Sequence, residues 1–298
     1  MSSIVEKVPL IRLNDGNYIP IIGFGTFCVD ENVVRIAIDA GYRHFDCADF
    51  YQNEDVIGTA LRKAINEGKV KREDLFITSK VWPTWLGKGR PLKSAQRSLK
   101  NLGFDYLDLL LIHWPTPLKQ VDNDFLPRDQ NDKCLLDESI KLIDVWKEFE
   151  EIKSAGLTRS IGVSNFNPEQ IDDLIKNSST VPAVNQVESH PFISNSKLLK
   201  WLRERGIEMT AYSPLASAGM EWNKSTLSPL EVPLIKNLAI KYGVTPAAIC
   251  IKWQIQRGVT AIPKSSTKDR IYSNIDIFDF RMTDEEISSI EDLNRDLK

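Results

Sequence analysis

Residues 42–68 have the sequence YRHFDCADFYQNEDVIGTALRKAINEG, and this stretch decides the fold because it contains one complete strand–loop–helix unit. Its first six residues are a short β-rich run, whereas residues 53–68 carry apolar residues at helical spacing. The apolar stripe consists of Val56, Ile57, Ala60, Leu61, Ala64 and Ile65. The connection between strand and helix contains Asp49 and Tyr51, although such connections are usually built from Gly, Asn and Ser.

The same unit recurs on both sides of this stretch. Seven further β-rich runs occupy residues 21–25, 75–81, 106–114, 159–165, 183–189, 207–213 and 259–265. Helical patterns alternate with them at residues 31–41, 91–103, 142–156, 168–178, 196–206, 245–258 and 267–275. Eight alternations predict a parallel sheet with right-handed crossovers, and eight strands close a TIM barrel. We therefore predict an α/β fold, a single (β/α)8 barrel domain spanning residues 1–298.

Two additions to the barrel are predicted at the ends of the chain. The segments VPLIRL and YIPIIG flank NDGN near the N-terminus, and Asp15-Gly16 supplies the turn of a β-hairpin. Residues 282–293, MTDEEISSIEDL, predict an extra amphipathic helix with Thr283 as N-cap and Glu286 three residues later. Long connections at residues 115–139 and 214–231 both follow strands, so we expect them to lie over the C-terminal mouth of the barrel.

The composition indicates a globular protein outside membranes. The chain of 298 residues is 42% hydrophobic and 27% charged, and no run approaches the roughly 18 apolar residues of a membrane span. The N-terminus lacks the features of a secretory signal or transit peptide, so we expect a cytoplasmic protein. A net charge of −3 without a basic stripe argues against nucleic acid as a partner. We expect a monomer that binds a small molecule.

No pattern of metal ligands is present in the sequence. The cysteines and histidines are Cys28, Cys47, Cys134, Cys250, His44, His113 and His190. The cysteines are widely scattered without a C-x-x-C pair, which is typical of reduced structural thiols. We therefore predict neither a disulfide framework nor a metal site.

Polar side chains follow three successive predicted strands. Asp46 lies near the end of the second strand and Tyr51 in the loop after it, Lys80 lies near the end of the third and His113 near the end of the fourth. Each alone has an ordinary explanation, such as a turn residue, a surface charge or a satisfied core histidine. Because the barrel brings these strand ends to one mouth, the set predicts an active site.

The chemistry of these four groups is that of proton donation to an oxygen. An ammonium at Lys80 favours the ionised form of the Tyr51 phenol, which makes Tyr51 a better proton donor. Asp46 keeps Lys80 protonated against the effect of burial, and a neutral His113 can donate an N–H to a substrate oxygen. No activated serine or cysteine nucleophile is present, so a carbonyl reduced by a hydride from a cofactor is the expected reaction.

The remaining strand ends offer a place for the cofactor. The sequence contains neither G-x-G-x-x-G nor G-K-[ST], which excludes the Rossmann turn and the P-loop. The polar residues at these ends are Ser164, Asn165, Gln186, Tyr212, Ser213, Lys264, Ser265 and Arg270. Amide and hydroxyl groups can bond a carboxamide, a tyrosine can stack on its ring, and Lys264 with Arg270 can bind phosphate. Ser-Asn pairs are also common in turns, so a structural role remains an alternative.

Eight motifs in order resemble the aldo-keto reductase family over nearly the whole chain. They are GFGTF (23–27), GYRHFDCADFYQNE (41–54), ITSKVW (77–82), LLLIHWP (109–115), IGVSNF (161–166), NQVESHP (185–191), AYSPLA (211–216) and IPKSSTKDRI (262–271). The resemblance implies that Asp46, Tyr51, Lys80 and His113 are the catalytic tetrad, with Tyr51 as general acid. It also implies that NADPH or NADP+ is the cofactor.

The resemblance assigns the cofactor residues in more detail. Ser164, Asn165 and Gln186 match the carboxamide site, and Tyr212 matches the residue stacked beneath the nicotinamide ring. The further matching positions are Ser213, Leu215 and Ser217 at the pyrophosphate, Lys264, Ser265, Thr267 and Arg270 at the adenosine 2′-phosphate, Asn274 at the adenine, and Thr26 as another cofactor-binding residue. Three departures from the family pattern stand out: Ser273 replaces a common glutamate, Phe27 a common tryptophan, and Asp49-Phe50 the usual pair before the tyrosine. We expect the changes at Phe27 and at Asp49-Phe50 to affect the substrate pocket.

The expected function is NADPH-dependent reduction of aldehydes, and of some ketones, to alcohols. The predicted pocket is open and aromatic, with walls from Phe27, Phe50, Trp82, Trp114, Phe125 and Trp222. The sequence ends at DLNRDLK, where many vertebrate relatives continue into a loop over the mouth, so we expect a pocket without that lid. Two alternatives stay open: a nucleotide-binding regulatory barrel resembling potassium-channel β-subunits, and an enzyme that works mainly in the oxidative direction.

Overall fold

The computed structural model describes residues 4–217 and 228–295, and its central element is an eight-stranded parallel sheet. The strands are β1 (Leu10–Arg12), β2 (Tyr18–Pro20), β3 (Phe24–Gly25), β4 (His44–Asp46), β5 (Phe76–Val81), β6 (Leu107–Ile112), β7 (Thr158–Ser164), β8 (Val184–Glu188), β9 (Glu208–Tyr212) and β10 (Thr260–Ala261). Strands β3 to β10 pair in chain order, and every pair is parallel. All eight predicted barrel strands are confirmed.

The sheet closes on itself between its first and last strands. Ile22 and Ala261 form a parallel bridge. The amide of Gly23 donates to the carbonyl of Ala261 at 2.8 Å, and the amide of Ala261 donates to the carbonyl of Ile21 at 3.0 Å. These bonds complete the cylinder, so the predicted (β/α)8 barrel is confirmed.

Helices surround the barrel. They are α1 (Ile4–Lys7), α2 (Glu31–Ala40), α3 (Glu54–Asn66), α4 (Arg90–Leu102), α5 (Leu142–Ser154), α6 (Pro168–Asn177), α7 (Ser196–Arg203), α8 (Pro233–Tyr242), α9 (Pro246–Gln256), α10 (Lys268–Ile275) and α11 (Asp284–Glu291). In α3, the predicted stripe packs inward, with Ile57, Ala60 and Leu61 fully buried. Among the described residues, no single helix is long and apolar enough to cross a membrane, although α8 and α9, bent by 90° at their junction, reach that length and composition as a pair.

Both predicted additions are present. Strands β1 and β2 form the antiparallel hairpin, and its Leu13 and Ile19 pack on Phe76 and Leu109 inside the N-terminal end of the barrel. The hairpin therefore plugs the end opposite the predicted site. In α11 the capping box is formed as expected, since the amide of Glu286 donates to Thr283 Oγ1 at 3.3 Å.

Helix α8 is not predicted by the sequence pattern, which interprets residues 214–231 as a long connection and assigns no element to residues 232–244. Its sequence carries ordinary signals of a helix, with Pro233 in the first turn and Gly243 as a left-handed C-cap. Its apolar side packs against α9 and α11, where Ile235, Trp253 and Ile290 are completely buried. This small core supports the strand β10 side of the barrel.

Candidate active site

The predicted site residues meet in a cavity of about 260 Å³ at the C-terminal mouth of the barrel. Fourteen of them line it: Thr26, Phe27, Asp46, Tyr51, His113, Trp114, Ser164, Asn165, Gln186, Tyr212, Ser213, Leu215, Ser217 and Lys264. Lys80 lies beneath the cavity floor. The polar ends of β4 to β10 thus converge at one place, as the barrel requires.

Lys80 and Asp46 form a buried ion pair under this floor. The Lys80 side chain is 0% exposed and that of Asp46 2% exposed. Lys80 Nζ donates to Asp46 Oδ1 and also to the carbonyl of Cys47, the latter at 2.9 Å. The second oxygen of Asp46 accepts from Gln186 Nε2 at 2.7 Å. Burial lowers the pKa of Lys80, but the charge and hydrogen bond of Asp46, together with Tyr51 and Cys47, more than offset it. The net pKa is raised, so the ammonium is maintained as predicted.

Tyr51 is the third member of this group and, like Asp46, it lines the cavity. Lys80 Nζ donates to its hydroxyl at 3.4 Å and lies 5.0 Å from the centre of its ring. Burial raises the pKa of Tyr51, and Lys80 lowers it by a smaller amount, so the net direction is upward. The predicted effect of Lys80 is present, but it moderates the effect of burial and does not reverse it. Tyr51 consequently stays protonated at neutral pH.

His113 is a neutral imidazole beside the tyrosine. Its ring centre lies 6.0 Å from that of Tyr51, and 8% of the residue is exposed. Burial first, and then the charge of Lys80, hold the pKa of His113 well below its usual range. Nδ1 is buried without a hydrogen-bond partner among the described residues. Burying an unpaired acceptor at Nδ1 costs less free energy than burying an unpaired N–H there, so Nε2 carries the proton.

Of the predicted aromatic residues, Phe27 and Trp114 line the cavity, whereas Phe50, Trp82 and Phe125 do not line it and form an aromatic wall beside His113. Phe50 stacks on Trp82 with ring centres 3.9 Å apart and planes inclined by 13°, and Phe125 meets Phe50 edge-on at 5.7 Å. Trp82 Nε1 donates to the carbonyl of Phe125 at 2.5 Å, which ties the long 115–139 connection to the mouth as expected. Phe27 packs on Tyr51 at 5.1 Å. Trp114 is 41% exposed, and Trp222 lies outside the described residues.

Asp49 and Phe50 precede Tyr51 in the turn after β4. Neither Asp49 nor Phe50 lines the cavity, so the expected effect of the Asp49-Phe50 change on the substrate pocket stays a prediction. The carboxylate of Asp49 turns to the helix layer, where Arg97 of α4 donates to it. Phe50, the next residue, lies in the aromatic wall.

A hydrogen-bonded network joins the ends of β6 to β9. The hydroxyl of Tyr212 donates to Asn165 Oδ1 at 3.0 Å, and Asn165 Nδ2 donates to the carbonyl of His113 at 3.0 Å. Ser164 Oγ donates to the carbonyl of Gln186 at 2.8 Å. Asn165 adopts the left-handed conformation with a φ of 63°, which Asn tolerates better than most residues. The network fixes the polar groups around the Tyr212 ring.

The predicted phosphate-binding residues lie at the other end of the cavity and beyond it. Lys264 lines the cavity, whereas Thr267 and Arg270 are exposed at the start of α10. The amide of Thr267 donates to Ser265 Oγ at 3.1 Å, which fixes this turn. Asn274 is 3% exposed, and Ser273 Oγ donates to the carbonyl of Arg270 at 3.3 Å.

Sequence reasoning missed several residues of the site. Gly25, Pro214, Ile262 and Pro263 also line the cavity. Only the structure shows why residue 25 is a glycine, because a Cβ there would lie 3.1 Å from the carbonyl oxygen of Ile262. The side chain of the next residue, Thr26, is fixed by a hydrogen bond in which its Oγ1 donates to the carbonyl of Asp46 at 2.8 Å. The loops after β3 and β10 therefore touch at the cavity edge.

Comparison with known proteins gives the same picture over the whole chain. A sequence model described as "Aldo/keto reductase family" matches residues 29–295. Estradiol 17 beta-dehydrogenase 5 of Mus musculus is 42% identical over 98% of this chain and 94% of that protein. Prostaglandin-E(2) 9-reductase of Oryctolagus cuniculus is 42% identical over 98% of this chain and 93% of that protein. The aldose reductase from Schistosoma japonicum superposes with a TM-score of 0.91 at 37% identity, covering 97% of this chain and 93% of the other.

Proposed function

Because the chain belongs to the aldo-keto reductase family of oxidoreductases, we propose that it reduces aldehydes, and some ketones, to alcohols with NADPH. The observation that carries the proposal is the set of contacts made by Lys80. This buried ammonium joins Asp46 below to the Tyr51 hydroxyl above, at the floor of a cavity where a neutral imidazole is adjacent. Such a group protonates an oxygen that gains negative charge.

The residues present fit a nicotinamide dinucleotide. Ser164, Asn165 and Gln186 place hydroxyl and amide groups around the Tyr212 ring, which suits a carboxamide lying on that ring. Glycine at Gly25 leaves one edge of the cavity without a side chain, so a flat ligand can approach the backbone. Lys264 and the exposed Arg270 offer two cations to phosphate. When bound, the nicotinamide supplies the hydride that reduces the carbonyl carbon.

Each member of the tetrad has a separate task in the proposed reaction. Tyr51 donates its phenolic proton to the carbonyl oxygen, and Lys80 stabilises the phenolate that remains. Asp46 holds Lys80 charged and in place. His113 donates its Nε2–H to the same oxygen and orients it. Tyr51 and His113 face the cavity and act on the substrate, whereas Lys80 and Asp46 act through Tyr51.

The names of the relatives suggest which carbonyl compounds to examine. One relative is named for estradiol and another for prostaglandin E2, so ketones are reasonable substrates beside aldehydes. The wall of Phe50, Trp82 and Phe125 favours apolar and aromatic substrates, because burying a ring is favourable whereas buried sugar hydroxyls lose water without partners. We expect a higher kcat/KM for benzaldehyde-type substrates than for xylose or glucose.

The decisive experiment is steady-state oxidation of NADPH by purified protein with 4-nitrobenzaldehyde. A substrate-dependent loss of absorbance at the nicotinamide band supports the proposal. Tight binding of NADPH without turnover of any carbonyl in a panel that includes prostaglandin E2 would favour the regulatory barrel. Oxidation of estradiol with NADP+ that exceeds all reductions would favour the oxidative alternative.

A further inference from the structure

The turn that carries Tyr51 is anchored at every residue. It is a 3₁₀ helix, Asp49–Tyr51, between β4 and α3. Phe50 is held by its stack on Trp82, and the Tyr51 hydroxyl by Lys80. Asp49 is held from behind, where it accepts from Arg97 of α4. One short turn thus links the cavity to the helix layer of the barrel.

Asp49 is nearly as buried as the tetrad itself. Its side chain is 6% exposed, whereas that of Arg97 is 35% exposed. The guanidinium carbon of Arg97 lies 4.1 Å from the centre of the Trp85 ring, and this contact restricts where the charge can move. Arg97 is therefore a cation held in place at the rear of the turn.

The electrostatics make Asp49 dependent on that cation. Burial raises the pKa of Asp49, and Arg97 is the group that opposes this effect. A second buried carboxyl, Glu54, has its pKa raised to about 7 by burial, with the charge of Asp49 adding to the effect. Without Arg97, the carboxylate of Asp49 would be buried without the cation that opposes the cost of its burial. A movement of Asp49 outward, toward water, would then lower the free energy of the turn.

Such a movement would be transmitted directly to Tyr51. The carbonyl of Asp49 accepts from the amide of Gln52 at 3.2 Å, and the amide of Tyr51 donates to the carbonyl of Ala48 at 3.0 Å. Within residues 4–217 and 228–295, the backbone of this three-residue turn makes no further hydrogen bond that could absorb a displacement at one end. The hydroxyl of Tyr51 already stands 3.4 Å from Lys80, at the outer limit of a hydrogen bond.

We propose that Asp49 and Arg97 are positioning residues that set the distance between the Tyr51 hydroxyl and Lys80, and so control the rate of proton donation without touching substrate or cofactor. The inference rests on the proposed reductase function. It extends the site to Arg97, which lies in none of the motifs, and to Asp49, which departs from the family pattern.

The expected effect is on the chemical step. A displacement of about 1 Å in a catalytic group costs roughly 10²-fold in rate. We expect Asp49→Asn to lower the single-turnover rate of NADPH oxidation by at least about tenfold, with the Kd for NADPH unchanged within about twofold. Arg97→Met should have a similar effect, and Arg97→Lys, which keeps the charge, should recover part of the rate. In the double variant the two losses should not multiply, because both remove one interaction.

A matched control exists at the other end of the barrel. Asp108 is a buried aspartate, 4% exposed in its side chain, paired at 2.8 Å with Arg72, whose guanidinium carbon lies 4.0 Å from the Tyr106 ring. Asp108→Asn should lower the melting temperature as Asp49→Asn does, while its single-turnover rate stays within twofold of wild type. This comparison separates positioning of Tyr51 from general loss of stability.

Rates and a structure together decide the inference. A crystal structure of the Asp49→Asn variant should show the Asp49–Tyr51 turn displaced and the Tyr51 hydroxyl beyond hydrogen-bond distance of Lys80 Nζ. An unchanged turn in that structure overturns the inference, as does a single-turnover rate per NADPH-binding site equal to that of wild type. If wild-type protein turns over no carbonyl, the proposed function fails, and the variant structure still decides whether the pair holds Tyr51.

Discussion

Replacing Lys80 by methionine tests the buried ion pair on which the site depends. Methionine is nearly the same length but brings no charge, so Asp46 becomes a buried carboxylate without its cation. Breaking a buried pair from one side costs about 3 to 5 kcal/mol. Because Gln186 still donates to the second oxygen of Asp46 at 2.7 Å, the lower half of this range is expected.

The assay is thermal unfolding at two pH values. For a chain of this size each kcal/mol shifts the melting temperature by about 2 °C, so Lys80→Met should lower it by about 6 to 8 °C at pH 8. A buried carboxylate without a cation relieves its cost by taking up a proton, so the loss should be smaller at pH 5. Adding Asp46→Asn to the variant removes the stranded charge and should recover part of the loss.

Two results would refute this reasoning. A shift below about 2 °C at pH 8 would mean that the pair contributes little to stability. A double variant no more stable than Lys80→Met would mean that the uncompensated charge of Asp46 is not the source of the loss.

Three further predictions concern the acid, the cofactor and a buried carboxyl. Tyr51→Phe should lower carbonyl reduction by roughly 10²- to 10⁴-fold and leave NADPH binding within a few-fold, as measured by turnover and by cofactor fluorescence; turnover above a tenth of wild type removes Tyr51 from its role. Arg270→Ala should weaken NADPH by about 1.5 to 3 kcal/mol and NADH far less, and equal affinities of the two cofactors for wild-type protein would contradict the assignment. Burial raises the pKa of Glu54 to about 7, so the stability contributed by its protonated form is lost as pH rises from about 4.5 through 7. The melting temperature of Glu54→Gln relative to wild type should therefore increase between pH 5 and pH 8. A constant difference would show that Glu54 does not titrate in this range.

The barrel could be predicted from the sequence because its signals are local and repeated. Each strand is a short apolar run followed by a helix with its own stripe, and the number eight then fixes closure. Helix α8 was not predicted because it breaks the alternation of one strand with one helix. It lies between β9 and α9, and the pattern had already assigned α9 as the helix that follows this strand. Its signals, Pro233 and Gly243, are clear only when a helix is expected there.

The convergence of Asp46, Tyr51, Lys80 and His113 was also predictable, since topology alone brings the ends of neighbouring strands together. The partner of Asp49 could not be predicted, because Arg97 lies on a helix 48 residues away. Only packing decides which way a side chain in the turn points. The same holds for Gln186, which was assigned to the carboxamide but donates to Asp46 here. Strand order predicts which residues are neighbours, whereas the hydrogen-bond partner of each depends on rotamers that the sequence does not specify.

The closure of the barrel between Ile22 and Ala261 has a consequence for how the protein opens. Strands β3 and β10, which meet there, have two residues each and are the shortest of the cylinder. Local opening starts where few backbone hydrogen bonds must break, so amide hydrogen exchange should be fastest along this junction, at Gly23 and Ala261. Gly25 and Lys264, from the two sides of the junction, both line the cavity. A nucleotide lying against both sides would hold them together, so slower exchange at these amides would report its binding even in a variant that has lost all turnover.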